Sequence, residues 1–258
     1  TITTNFRLGQ VYHSLGKYPE AAEILHRNVT MIEDDLHRET FGLAGFPSVF
    51  SRVWLALCLA EQGRFAEAAA HTGEAVAIAG SADHAFSLVV ACAGAGVIHA
   101  LRGDDESAIS TLERGLVTAR VADLPLLFPF IAAPLGWVYA RAGRRAEGLR
   151  VLEEATERAE AMEFTANHAL RLAWLAEAHF LAGHGDVAKR LGLRALELAR
   201  RVGERGHEAH TLRLLGDLAM KGSPPDVETA GDHYRAAFTL AETLGMQPLA
   251  AALASSLP

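Results

Sequence analysis

Apolar, small and polar residues follow one another along this chain with the three- and four-residue spacing of packed helices, and glycines punctuate the blocks. The run Leu135-Gly136-Trp137-Val138-Tyr139-Ala140-Arg141-Ala142-Gly143, followed by residues 144–158 with Gly148, Leu152 and Ala155, predicts the end of one helix, a tight turn, and a second helix lying back against the first. The unit recurs. Turn glycines at Gly16, Gly63, Gly103, Gly143 and Gly183 are separated by 47, 40, 40 and 40 residues. Seven residues before them stand Gly9, Ala56, Gly96, Gly136 and Ala176, and Gly216 continues the column. Five residues after them stand Ala21, Ala68, Ala108, Gly148 and Ala188; twelve after, Asn28, Ala75, Gly115, Ala155 and Ala195. In a sixth unit the columns resume at Ala230 and Ala237 if two extra residues are admitted within 221–227. Small residues at fixed places in both helices let two backbones approach closely, because nothing beyond a methyl has to fit between them.

This periodicity predicts an all-α chain: one continuous solenoid of six helix pairs, at about 2–36, 48–80, 84–121, 124–161, 164–202 and 205–244, with a terminal helix at about 247–257. Residues 37–47 form the longest irregular connector and account for the long first step. Ser48 is a candidate N-cap. Asp83, Asp123 and Glu163 fall twenty residues before successive turn glycines, which suggests carboxylates favouring the positive end of the following helix. Pro125 and Pro129 can begin a helix, whereas Pro134 falls in its interior and predicts a kink. The chain starts at Thr1, already close to a helix, and ends in an apolar stretch, so a segment of a longer protein is expected.

The column pattern resembles the tetratricopeptide repeat. That family's succession of a large apolar residue, Gly or Ala, an aromatic, a turn, Ala, an aliphatic and Ala is met by Leu135, Gly136, Tyr139, Gly143, Gly148, Leu152 and Ala155, and in the first unit by Leu8, Gly9, Tyr12, Gly16, Tyr18, Ala21 and Leu25. The period is 40 rather than the family's usual ~34, so both helices run nearly a turn longer. Units of this length resemble those in the C-terminal regions of bacterial class III adenylate cyclases carrying an ATPase domain and of MalT-like regulators of the STAND class; residues 38–52, 82–84 and 206–208 look most like the cyclase-associated version.

The resemblance implies a right-handed superhelix whose first helices line a concave groove. Carried over to this chain, the candidate groove contacts are Val90, Val97 and Leu101; Phe130, Trp137 and Arg141; Leu170, Glu177 and Leu181; and His210, Arg213 and Asp217. The Lys, Asn and Arg clamp with which some family members hold chaperone C-termini is not matched. Two readings stay open for so apolar a stripe. It receives an apolar peptide or helix, with Trp137 and Phe130 as anchors, or the superhelix is tight and these residues are core, the favoured reading. Trp54 and Trp174 are expected to pack between repeats.

Composition narrows the function classes. Half the residues are hydrophobic, yet no apolar run approaches the ~18 residues of a membrane span, and no export signal is seen. A formal net charge of −7 argues against a phosphate-tracking surface for nucleic acid or anionic membrane. Cys58 and Cys92 lie in predicted helix interiors without a pairing pattern, which fits a reducing, cytoplasmic setting. Among the chemical candidates, His207 and His210 share a helical face and could hold zinc, but no HExxH, CxxC, phosphate loop or nucleophile elbow accompanies them. No catalytic residue, cofactor or metal site is therefore assigned. The expected function is a non-catalytic protein-interaction and regulatory arm of a bacterial adenylate cyclase/ATPase-type signalling protein. Its partners are a protein, a peptide or other domains of the same chain, with a possible homodimer through the C-terminal helix. The alternatives are the effector-sensing arm of a MalT-like activator and a metal-dependent enzyme centred on His207 and His210.

Overall fold

Each glycine of the turn column stops a helix, because it adopts a left-handed conformation that a side chain would strain: Gly16, Gly63, Gly103, Gly143 and Gly183 have φ between 75° and 88°. The computed structural model describes residues 1–32, 36–222 and 224–255, and these form thirteen α-helices. The pairs are α1 (Ile2–Ser14) with α2 (Tyr18–Met31), α3 (Pro47–Glu61) with α4 (Phe65–Ser81), α5 (Ala85–Leu101) with α6 (Asp105–Val121), α7 (Phe128–Arg141) with α8 (Arg145–Ala161), α9 (His168–Leu181) with α10 (Gly185–Val202), and α11 (Arg205–Met220) with α12 (Val227–Leu244). A single helix α13 (Gln247–Ala254) follows. Odd-numbered helices touch one another from pair to pair and form an inner layer; each even-numbered helix packs on the odd helices before and after it.

The small-residue columns lie where the two layers meet. Ala21, Ala56, Ala68, Ala75, Ala108, Ala155, Ala176, Ala188 and Ala195 are all 0 % exposed. The approach is tightest between α7 and α8, where an added Cβ at Gly136 would lie 2.8 Å from the Gly148 carbonyl oxygen and 2.9 Å from the Leu152 nitrogen. At Gly148 the corresponding distances are 2.6 Å to the Gly136 oxygen and 2.7 Å to the Ala140 nitrogen. These are backbone atoms, which cannot swing aside. Asn28 is the polar member of its column, fully buried, and its Nδ2 donates to the Ile2 carbonyl at 2.8 Å and the Ser51 hydroxyl at 3.2 Å.

Several local expectations are corrected. Ser48 is the second residue of α3 rather than its cap; Phe46 holds the cap position, and the Ser48 hydroxyl donates to the His37 carbonyl instead. Asp83, Asp123 and Glu163, with φ of 50°, 50° and 53°, are left-handed residues closing α4, α6 and α8; Asp83 also stands directly before the α5 cap, whereas Glu163 lies five residues before α9. His84 caps α5, accepting from the Ser87 backbone N–H, and Pro125–Leu127 form a separate 3-10 turn before α7. Pro134 sits inside α7, which continues through it to Arg141. The expected tail of α2 at residues 33–35, the end of the terminal helix at 256–257 and Ser223 of the last turn lie outside the described residues.

The array comes round far enough for its end to meet its beginning. At Gly206 on α11 a methyl would overlap the Tyr18 hydroxyl, and a methyl at Gly16 would lie 3.0 Å from Leu244 at the end of α12. A methyl at Gly203 would lie 3.6 Å from Leu15. Further along, Gln247 and Pro248 of α13 pack at the Gly63 turn between α3 and α4.

Two glycines separate the effects of space and backbone entropy. Gly136→Ala is expected to destabilise by roughly 1–3 kcal/mol, because the new methyl meets fixed backbone. Gly73→Ala, at an exposed position in α4 with nothing within 4 Å, is expected to stabilise by roughly 0.5–1 kcal/mol. Urea unfolding followed by helical circular dichroism measures both.

Candidate ligand site on the inner wall

All six inner helices contribute to one cavity of about 170 Å³. Its apolar wall is built on α5, α7 and α9. Spacings of three and four residues turn Ala93, Val97 and Leu101, then Phe130, Ala133 and Trp137, then Leu170, Ala173, Trp174 and Glu177 toward the same space. Indoles supply much of that wall. Trp137 and Trp174 stack with ring centroids 5.0 Å apart and planes 15° apart. The Trp137 Nε1 donates to the Glu177 carboxylate at 2.9 Å, which fixes the ring in its plane. Behind them Trp54 stacks on Phe130 at 6.1 Å and meets Phe6 edge-on at 5.6 Å.

The opposite wall is polar and lies where the array closes. His13 from α1, Glu61 from α3 and His207, His210 and Arg213 from α11 line it. His210 Nε2 lies 3.1 Å from a Glu61 oxygen, joining residues 149 apart in sequence, and His207 Nδ1 lies 3.0 Å from Glu204. Burial and the neighbouring His207 hold the His13 imidazole down to about 4, against the opposing pull of Glu61 and Glu204. For Glu61, burial alone would raise the carboxyl, but the charge and hydrogen bond of His210, helped by His13 and His207, win and lower it. Burial, with Glu61 beside it, pushes the Tyr18 hydroxyl well above its usual range. His207 and His210 thus serve two different carboxylates, and among the described residues no group of three or more His, Cys, Asp or Glu is placed to hold a metal.

Of the sequence-derived contacts, Val97, Leu101, Phe130, Trp137, Leu170, Glu177, His210 and Arg213 share this cavity. Val90 is buried in the core at 4 % exposure and stays outside it. Arg141, Leu181 and Asp217 lie one helical turn beyond Trp137, Glu177 and Arg213. There Arg141 covers the Trp137 ring at 4.7 Å and Leu181 packs on the core. Asp217 takes Arg213 and the Tyr234 hydroxyl. Trp137 is both wall and core, at 6 % exposure. His13, Glu61, Asn167 and Arg171 also line the cavity and are absent from the groove stripe. Arg171 was detectable as a lone cation between Leu170 and Leu172; His13 and Glu61 carry no local signal.

Comparison with known proteins gives the same architecture. A family model described as "Tetratricopeptide repeat" matches residues 49–74 and 129–154, and a second of the same description matches 6–39. No curated protein matches in sequence. Among solved structures, the Rap conjugation gene regulator of plasmid pLS20, in complex with the Phr* peptide, has a TM-score of 0.72 at 14 % identity; the match covers 94 % of this chain and 62 % of that one. PlcR of Bacillus thuringiensis, in complex with the peptide PapR7 and DNA, has a TM-score of 0.64 at 15 % identity, covering 92 % and 82 %. A Pyrococcus horikoshii signal transduction ATPase with numerous domains (STAND), with a tetratricopeptide repeat sensor, has a TM-score of 0.55 at 13 % identity, covering 96 % of this chain and 38 % of that one.

Acidification tests the closing seam. His13 has a folded pKa below its unfolded value, so it contributes stability above about pH 6.5 that is lost as the pH falls toward 4; the shift corresponds to on the order of 3 kcal/mol. Unfolding midpoints of the parent are expected to drop through this window, and those of His13→Gln to drop less. Glu61, whose folded pKa is lowered, loses its contribution only at lower pH.

Proposed function

We propose, on the premise that the chain is folded as a tetratricopeptide-repeat solenoid, that it is a non-catalytic interaction and regulatory module whose inner wall receives its ligand. The observation that carries this reading is the convergence of all six inner helices on one cavity with an aromatic side and a charged side. Such a site suits recognition: aromatic anchors give contact area, and a few fixed polar groups give orientation. It does not supply a nucleophile activated by a base, nor a metal set, among the described residues.

The arrangement favours a partner, a peptide or another domain of the same protein. Structures with this fold hold peptides in the Rap and PlcR complexes, and the STAND protein carries its repeats as a sensor. Within that class, our reading is the sensory or scaffolding arm of a bacterial, cytoplasmic adenylate cyclase/ATPase-type signalling protein. The effector-sensing arm of a MalT-like activator is the second reading, and a helix-turn-helix in place of a cyclase in the full-length chain would select it. Among the described residues no helix is long and apolar enough to cross a membrane. Regulation would follow from differential affinity: a ligand that grips one arrangement of the ring better than another biases the attached domains by no more than that difference.

A photo-crosslinking residue introduced at Leu170, in the full-length protein in its native host, tests this assignment. Capture of a peptide, protein or neighbouring domain is expected from Leu170, and not from Val121, which is 83 % exposed on the outer layer. Capture from Val121 alone would move the interaction to the convex face and overturn the reading.

A further inference from the structure

Arg171 stands out on the inner wall because it is buried without a counter-ion. It is 3 % exposed, lines the cavity from the first turn of α9, and has no carboxylate within ion-pair distance among the described residues. Arg52, nearly as buried, shows the usual arrangement, since its Nε meets Glu74 at 2.9 Å. The Arg171 Nη1 donates to the Ala166 carbonyl at 2.6 Å and Nη2 to the Phe164 carbonyl at 2.7 Å, with the His168 Nδ1 at 3.4 Å from Nη2. Its Nε is buried and has no partner. Burial draws the guanidinium down to about 10; Glu204 and Glu160 act against that from a distance. Both carboxylates are already engaged, Glu204 by His207 and Glu160 by Arg194 at 3.0 Å.

The surroundings define what would fit. Trp174, three residues on, shares a helix face with Arg171 and presents an indole backed by Trp137. Six residues from Arg171, about 9 Å along the helix, Glu177 marks the far end; it accepts from Trp137 and has no cation within ion-pair distance among the described residues. A carboxylate there repels a second acidic group. The cavity, at about 170 Å³, is below the roughly 300–1,000 Å³ of sites that enclose drug-sized ligands. We infer that the lumen binds a small aromatic monocarboxylate, whose acid group is the missing counter-ion of the Arg171 guanidinium and whose ring lies on Trp174. This rests on the reading of the inner wall as the sensing surface and names the chemistry of its effector.

Titration calorimetry and tryptophan fluorescence with 3-phenylpropionate, against its uncharged amide, test the inference on the unmodified protein. Saturable one-to-one binding of the acid is expected, with the amide about tenfold weaker or more, since only the acid places a charge beside the guanidinium. Arg171→Gln, checked by circular dichroism, is expected to bind acid and amide alike. Should that variant unfold because its loop is no longer pinned, the acid and amide comparison in the parent decides alone. Absence of acid binding, or equal binding of acid and amide by the parent, overturns the proposal. The Leu170 crosslink separates this from the broader reading. Capture of a macromolecule without acid binding removes the small-acid site and leaves the module. Acid binding without any capture keeps the inner wall as a sensing surface for a small effector and removes macromolecular capture there.

Discussion

Everything in this molecule depends on how closely α7 and α8, and their counterparts in each pair, can approach. Even a methyl at Gly136 or Gly148 would have to displace backbone, since both positions face a carbonyl oxygen and an amide nitrogen as well as the neighbouring Leu152 and Ala140 side chains. Close crossing in each pair sets the angle at which the next pair must follow. Repeated from pair to pair, at a 40-residue step through the middle units, a small rotation accumulates into a superhelix. Curvature therefore originates in the absence of side chains, while the large residues fill the space that the curvature leaves.

The same curvature decides the electrostatics of the interior. Because the sixth pair arrives beside the first and second, helices distant in sequence place His13, Glu61, Glu204, His207 and His210 in a common, poorly solvated region. Across the seam His210 meets Glu61, while His207 is held by Glu204 at the start of its own helix. Arg171 is the exception, bound to loop carbonyls but not to an acid.

The fold class is legible in the sequence because the unit is local: a helix, a left-handed glycine and a returning helix all fall within one period, and Gly143 with its columns announces them. Turn chemistry is less legible. An acidic residue near a helix boundary suits either end, and only backbone geometry shows that Asp83, Asp123 and Glu163 are the left-handed residues that close the preceding helices. Ser48 misleads for a similar reason, since its hydroxyl serves the connector carbonyl of His37 rather than its own helix. The inner wall is half legible. Helical spacing brings Val97, Phe130, Trp137, Leu170 and Glu177 together, because a stripe rule needs only the helix period. It does not reach Glu61 and His210, whose pairing spans 149 residues and has no periodic signature.

Closure of the array also changes what kind of object a repeat protein is. In an open solenoid each unit senses only its neighbours, so domains of this class fray from the ends and fold from any nucleus. Here Tyr18 meets α11, Leu244 meets the first turn, and α13 meets the second. The terminal units are thereby tied to each other as well as to the middle. Contacts of such long sequence separation raise the entropic cost of the folding nucleus and slow its formation. Once made, they remove the free ends from which unravelling would start, and a chain with the local grammar of a spring acquires the cooperativity of a closed ring.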